Sequence, residues 1–266
     1  MQHLEGKVAV ITGATGGIGL GVARQYVAEG ATVVVSGRDP AKCAQVAEEL
    51  RALGGKASFF PGNVLSRDDM VALAAHAVGT HGRLDVLVAS AAGIPPRETA
   101  APHVRGIFNE LQVDGVIDVV SKSIAAKLNP LHAALPYMIE RQSGSCIFIT
   151  SEGGRSPTAG QTAVALHSGG LVMATKVLGK EMGRHMIRVN CIAVTLVGDS
   201  PSWDAFEGKT PLTDLHRAQY ARIGARAPLG IANPQDIGAV AVFLGSDGAK
   251  FITGSTVSPT GGLTFH

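Results

Sequence analysis

Short runs of β-branched and other apolar residues alternate along the chain with longer stretches in which apolar positions return every three or four residues. The short runs fall at 8–12, 32–36, 57–60, 86–89, 146–150, 188–192 and 256–257, and they predict seven strands. The longer stretches at 18–29, 41–53, 67–80, 108–141, 162–184 and 236–244 predict crossover helices. Strands that are apolar throughout, each followed by a helix, are the pattern of a parallel sheet covered on both faces. The expected fold is therefore α/β, a doubly wound seven-stranded parallel sheet flanked by helices. No repeat, low-complexity tract or linker divides the chain, so one domain is expected over 1–266. The segment 198–229 breaks the pattern: it is polar, carries Pro201, Pro211 and Pro228, and follows the sixth strand. A lid over a pocket at the strand ends is the expected role of that segment.

Composition narrows the partners. The 266 residues are 45% hydrophobic, enough to fill such a domain, and 23 basic side chains face 21 acidic ones with no run of five like charges. Neither nucleic acid nor a membrane surface is implied, and the expected ligand is a small molecule. Met1-Gln2-His3-Leu4-Glu5 opens without a basic stretch leading into an apolar one, which predicts a cytoplasmic protein. Cys43, Cys146 and Cys191 are odd in number and widely spaced, which predicts buried thiols. The nine histidines include no metal-binding spacing, so no metal site is expected.

Candidate chemistry begins at Thr12-Gly13-Ala14-Thr15-Gly16-Gly17-Ile18-Gly19, directly after a strand and opening a helix. In that context glycines let the backbone approach a pyrophosphate while the helix N-terminus supplies N–H donors. The second strand runs out at Val35-Ser36-Gly37-Arg38, about twenty residues on. A carboxylate there binds the 2′-hydroxyl of NAD, whereas arginine suits a 2′-phosphate. With Gly37 in place of an acid and Arg38 beside it, the expected cofactor is NADP(H).

The TGxxxGxG spacing at the N-terminus resembles the short-chain dehydrogenase/reductase family, and further matches carry the resemblance over nearly the whole chain. Asn63-Val64 is similar to the Asp-Val that contacts adenine, and Ser90-Ala91-Ala92-Gly93 to the family's Asn-Asn-Ala-Gly. Ile187-Arg188-Val189-Asn190 and Ile252-Thr253-Gly254 with Gly261-Gly262 match its last two strands. The resemblance implies a Rossmann-type fold and a cofactor site of Gly13, Thr15, Gly17, Ile18, Gly19, Arg38, Asn63, Val64, Ala92 and Gly93. It also implies a dimer or tetramer assembled through the helices at 108–141 and 162–184, possible with a paralogue of the same family.

The family's chemistry rests on a Tyr general acid, a Lys four residues on, a carbonyl-orienting Ser and an Asn on the preceding helix. Ser151, ending the fifth strand, is the counterpart of the Ser and the one catalytic residue the resemblance transfers. The positions of the Tyr and Lys hold Val164 and Ser168, and 158–180 contains no Tyr. Ser123 stands for the Asn. Lys127 lies one turn further along the same face; ketoreductase domains of polyketide synthases carry their Lys on this helix, an exposed helical lysine being the ordinary alternative. His167 with Ser151 is a candidate replacement acid pair, and Tyr220 another. Thr195, in Ala193-Val194-Thr195, is a candidate for the nicotinamide carboxamide. His216, Arg217, Arg222 and Arg226 are candidates to meet a phosphate or carboxylate.

The leading expectation is a protein of this family that binds NADP(H) but has lost catalysis and serves as a non-catalytic or regulatory subunit. The alternative is an NADPH-dependent oxidoreductase acting on a carbonyl or acyl thioester through a non-standard proton donor. An NADP-sensing transcription factor is a third reading, for which nothing basic or helix-turn-helix-like speaks.

Overall fold

Strand β1 (Val8–Thr12) is buried along its whole length, as an apolar run in the middle of a covered sheet must be. The computed structural model describes residues 2–93, 106–200 and 224–265, with Trp203, Ala218, Ala221 and Arg222 besides. Around β1 lie β2 (Thr32–Gly37), β3 (Lys56–Pro61), β4 (Val86–Ala89), β5 (Gly144–Ser151), β6 (Ile187–Val194) and β7 (Thr256–Val257). All pairs are parallel, in the order β3-β2-β1-β4-β5-β6-β7. The seven-stranded expectation holds, and β2, β3, β5 and β6 extend one to three residues beyond the predicted runs.

The period of two along β1 splits the core into two layers. Ala9 and Ile11 join Val22, Tyr26, Val33 and Ile237 on one face, while Val8 and Val10 join Val34, Met70, Leu131 and Phe148 on the other. Helices α1 (Gly17–Ala28), α2 (Pro40–Ala52) and α6 (Pro234–Gly245) cover the first face. Helices α3 (Arg67–His81), α4 (Val113–Glu140) and α5 (Thr162–Met182) cover the second. Local sequence sets the helix starts. Asp39 caps α2 ahead of Pro40, Ser66 caps α3, and Asn233 with Asp236 forms a capping box on α6. The predicted start of the fourth helix at 108 is corrected: Phe108–Glu110 is a separate 3-10 turn and α4 begins at Val113.

Two details fasten the sheet where the site will sit. Buried Asn190 on β6 donates to the Ile252 carbonyl (2.8 Å) and accepts from the Ser255 N–H (3.1 Å), tying β7 on. Arg188 donates to the Leu244 carbonyl at 2.7 Å, holding the end of α6. All three cysteines are buried free thiols, as expected, and burial pushes Cys146 and Cys191 up to about 12. Among the described residues no helix is long and apolar enough to cross a membrane.

Candidate active site

In a parallel sheet the ligand crevice opens where successive crossovers leave in opposite directions. Here that point lies between β1 and β4, whose C-terminal ends carry the glycine loop and Ser90-Ala91-Ala92-Gly93. A cleft of about 360 Å³ opens there, lined by Gly13, Thr15, Gly17, Ile18, Gly19, Arg38, Val64, Ala92 and Gly93. The fold thus brings together nine of the ten positions that the resemblance implied for a cofactor. Asn63 is not among the lining residues. Its side-chain carbonyl accepts from the Leu65 N–H (3.1 Å) and its own N–H donates to Asp69 (2.7 Å), so it shapes the turn into α3 while Gly62 and Val64 face the cleft. That backbone donation is the main reason the Asp69 carboxyl lies below its ordinary range.

The glycines are required by close approach. Gly13 sits at φ +71°, and a Cβ there would lie 2.8 Å from the Ala91 Cα just past the end of β4. A Cβ on Gly19 would run into the Gly13 carbonyl. The backbone therefore leaves a cradle at the start of α1, where Gly16 provides no side-chain cap and the first N–H donors stay available. That cradle fits a pyrophosphate, and exposed Arg38 at the rim fits an anion beyond it.

A second cavity of about 700 Å³ adjoins the cleft, and Ser90, Ala92, Val194 and Thr195 line both. Ser151 stands at its edge, where its hydroxyl oxygen accepts from the Gly153 N–H (3.1 Å) and caps a short 3-10 turn. That bond leaves the hydroxyl proton for another partner. Ser123, Lys127, Val164, His167 and Thr195 line the same cavity, so the side chains picked out one by one along the sequence share one space. Ser168 does not. It is fully buried where α5 packs on the turn at Gly154, and its hydroxyl meets His167 Nδ1 at 3.2 Å.

The electrostatics of this cavity overturn one expectation. Lys127 is not exposed: it keeps only 5% of its surface and donates from Nζ to the carbonyls of Ala89 (2.9 Å) and Ala91 (2.8 Å) at the end of β4. Burial pushes its amine down to about 7. Burial, with the Lys127 charge second, also pushes His167 down to about 4, so its imidazole is neutral near pH 7 and an inefficient acid. That weakens the expected pairing of His167 with Ser151. Tyr137 packs against the second core layer.

Sequence reasoning missed several residues. Glu152, buried beside Ser151, pairs with Arg155 and accepts from Ser258, tethering the β5 turn to the segment after β7. Leu263, Thr264 and Phe265 close one side of the cavity with Arg226. An acid directly after a strand-ending Ser was the only local signal for the first; nothing short-range marked the second. The expected lid at 198–229 lies for the most part outside the described residues, as do Pro201, Pro211, His216, Arg217 and Tyr220. Arg222 is exposed.

The comparisons with known proteins agree with this geometry. The chain is 32% identical over 262 residues to the 3-oxoacyl-acyl-carrier-protein reductase FabG of Thermotoga maritima, covering 98% of this chain and 99% of that one. It is 30% identical to Dehydrogenase/reductase SDR family member 4 of Oryctolagus cuniculus, over 97% of this chain and 94% of that one. A solved structure from Agrobacterium tumefaciens, provisionally assigned as a gluconate dehydrogenase, superimposes with a TM-score of 0.81 at 25% identity, covering 99% and 98% of the two chains. The family model described as short chain dehydrogenase matches residues 7–207, and the chain belongs to that family.

Proposed function

We propose that this protein is an NADPH-dependent oxidoreductase that reduces a carbonyl or acyl-thioester substrate, with a proton donor other than the tyrosine its family uses. The observation that carries this reading is the shared wall. Ser90, Ala92, Val194 and Thr195 face both the dinucleotide cleft and the Ser151 cavity, so a carbonyl beside Ser151 has direct access to the inner end of the cleft. The glycine cradle, the α1 N-terminus and Arg38 would hold the dinucleotide, and the reduced nicotinamide would supply a hydride. Arg38, with Gly37 in place of an acid, favours NADP(H) over NAD(H). Ser151 would orient the carbonyl oxygen with the proton its cap bond leaves unused.

The relatives named above are called reductase and dehydrogenase, and this supports the enzyme reading over the expected non-catalytic subunit. Val164 and Ser168 at the family's Tyr and Lys positions are what require a different donor. An apolar face on α4 with Val113 and Ile117 exposed, and another on α5 with Leu166, Met173 and Val177, support assembly into an oligomer.

Fluorescence titration with NADPH and with NADH tests the cofactor reading. NADPH should bind in the micromolar range and NADH much more weakly, and Arg38→Ala should weaken NADPH by about 10- to 100-fold, the effect of one charge-assisted phosphate contact. Absence of binding by either nucleotide would remove the oxidoreductase reading.

A further inference from the structure

Lys127 is a buried, titratable group on the cavity wall that does not itself line the dinucleotide cleft. Burying an ammonium is costly, and a helical lysine is ordinarily free to reach solvent. This one is instead drawn inward from α4 and held by two carbonyls, Ala89 and Ala91, on the strand end that forms part of the shared wall. Two of its three protons are thereby spoken for in fixed directions. The third is left beside a cavity that Lys127 lines together with Ser123, Ser151 and His167. The other titratable groups around it do not compete for the role. His167 is neutral near pH 7, Cys191 is held as a thiol, and Glu152 is engaged with Arg155 and Ser258.

Building on the oxidoreductase reading, we propose that Lys127 is the proton donor of this site, delivering its third proton to the carbonyl oxygen that Ser151 orients. The step balances. A hydride adds to the carbonyl carbon, the carbon–oxygen π pair moves onto oxygen, and the Lys127 ammonium gives that oxygen its proton. The carbonyl is reduced to an alcohol, the dihydronicotinamide that supplied the hydride is oxidised, and the neutral amine takes a proton back from water. A donor whose proton affinity lies near neutrality suits both halves of that cycle, and the Ala89 and Ala91 carbonyls keep it aimed throughout. A lysine reaching the cavity from α4 also explains how the site can dispense with cationic help at Ser168, which the fold buries against Gly154.

The test follows the lysine directly by NMR of protein labelled with ¹³C at lysine Cε, with Lys127→Arg to assign its signal. The probe ligand is acetoacetyl-N-acetylcysteamine, added to the NADP⁺-loaded protein so that no turnover occurs. The Lys127 signal is expected to titrate within about one unit of pH 7, and its midpoint is expected to move when the probe is added. Lys127→Met should lower NADPH-dependent reduction of the probe by about 10²- to 10⁴-fold, the range for losing a general acid, while the affinity for NADPH stays within threefold. A midpoint above 9, or one that the probe leaves unmoved, would overturn the assignment, and the wild-type titration decides this even where the Met variant folds poorly. Failure of the cofactor reading is separately visible as absence of nucleotide binding to the wild-type protein.

Discussion

Replacing Lys127 by Met should reveal a buried amine through the pH dependence of stability. The unfolded chain holds the lysine proton up to about pH 10.4, whereas burial makes the folded chain release it near 7. Between those values the unfolded state binds more protons, so folding stability rises with pH, at most about 1.4 kcal/mol per unit. A base with a lowered pKa thus makes an unfavourable contribution that is fully present below pH 7 and disappears as pH climbs toward the unfolded value. The Met variant lacks this contribution. It also leaves the Ala89 and Ala91 carbonyls without their donor, a loss of about 1–3 kcal/mol each that does not depend on pH. The stability advantage of wild type over Lys127→Met should therefore grow by about 3 kcal/mol between pH 7 and 9.5. His167 titrates below this window, and buried Cys146 acts on both proteins alike. Cys191, whose thiol the Lys127 charge favours ionising, is pushed up to about 12 and so stays above the window in wild type and further above it without Lys127. Urea unfolding of both proteins at pH 6, 7, 8 and 9.5 measures the difference. An advantage constant to within about 0.5 kcal/mol over that range, a tolerance set by ordinary additivity errors, would refute the reasoning.

Two substitutions test the framework around the site. Gly19→Ala drives a methyl group into the Gly13 carbonyl, so it should destabilise the fold by about 1–3 kcal/mol and weaken NADPH binding more than tenfold, read by thermal melting and nucleotide titration. An unchanged affinity would show that the cradle can widen freely. Asn190→Ala leaves the Ser255 N–H unpaired and the Ile252 carbonyl with only the longer bond from Arg188 (3.4 Å), and should lose about 1–3 kcal/mol in urea unfolding, with amide exchange rising first around β7. A loss below about 1 kcal/mol would mean that water replaces both bonds.

Much of this molecule is legible from short-range order. Val8–Thr12 followed by the glycine loop specifies a strand, a tight turn and a helix within twelve residues, because apolar run, glycine freedom and helix start all act locally. Asp39-Pro40, Ser66 and Asn233-Pro234 mark helix starts the same way. The Arg38 position follows from counting along one βαβ unit. The early start assigned to the fourth helix had a physical cause: Phe108 fits the apolar period, but Gln112 and Leu111 leave it in a separate turn packed ahead of Val113.

The cavity was not legible in that way. Lys127, Ser151 and His167 come from three elements that meet only because α4 and α5 cover one face of the sheet beside β5. The Lys127 period position fits either a surface stripe or the rim of a core. Which one it occupies depends on the Ala89 and Ala91 carbonyls, 38 and 36 residues away, which accept its protons. The same holds for Glu152, whose partner Ser258 lies 106 residues on. By itself, then, the sequence determined the order of strands and helices, the glycine cradle at the start of α1 and the place of Arg38 at its rim, since each depends on residues that are neighbours in the chain. Tertiary structure alone decided which side chains share the second cavity and how strongly burial changes their acidity, because desolvation depends on everything packed around a group rather than on what precedes or follows it.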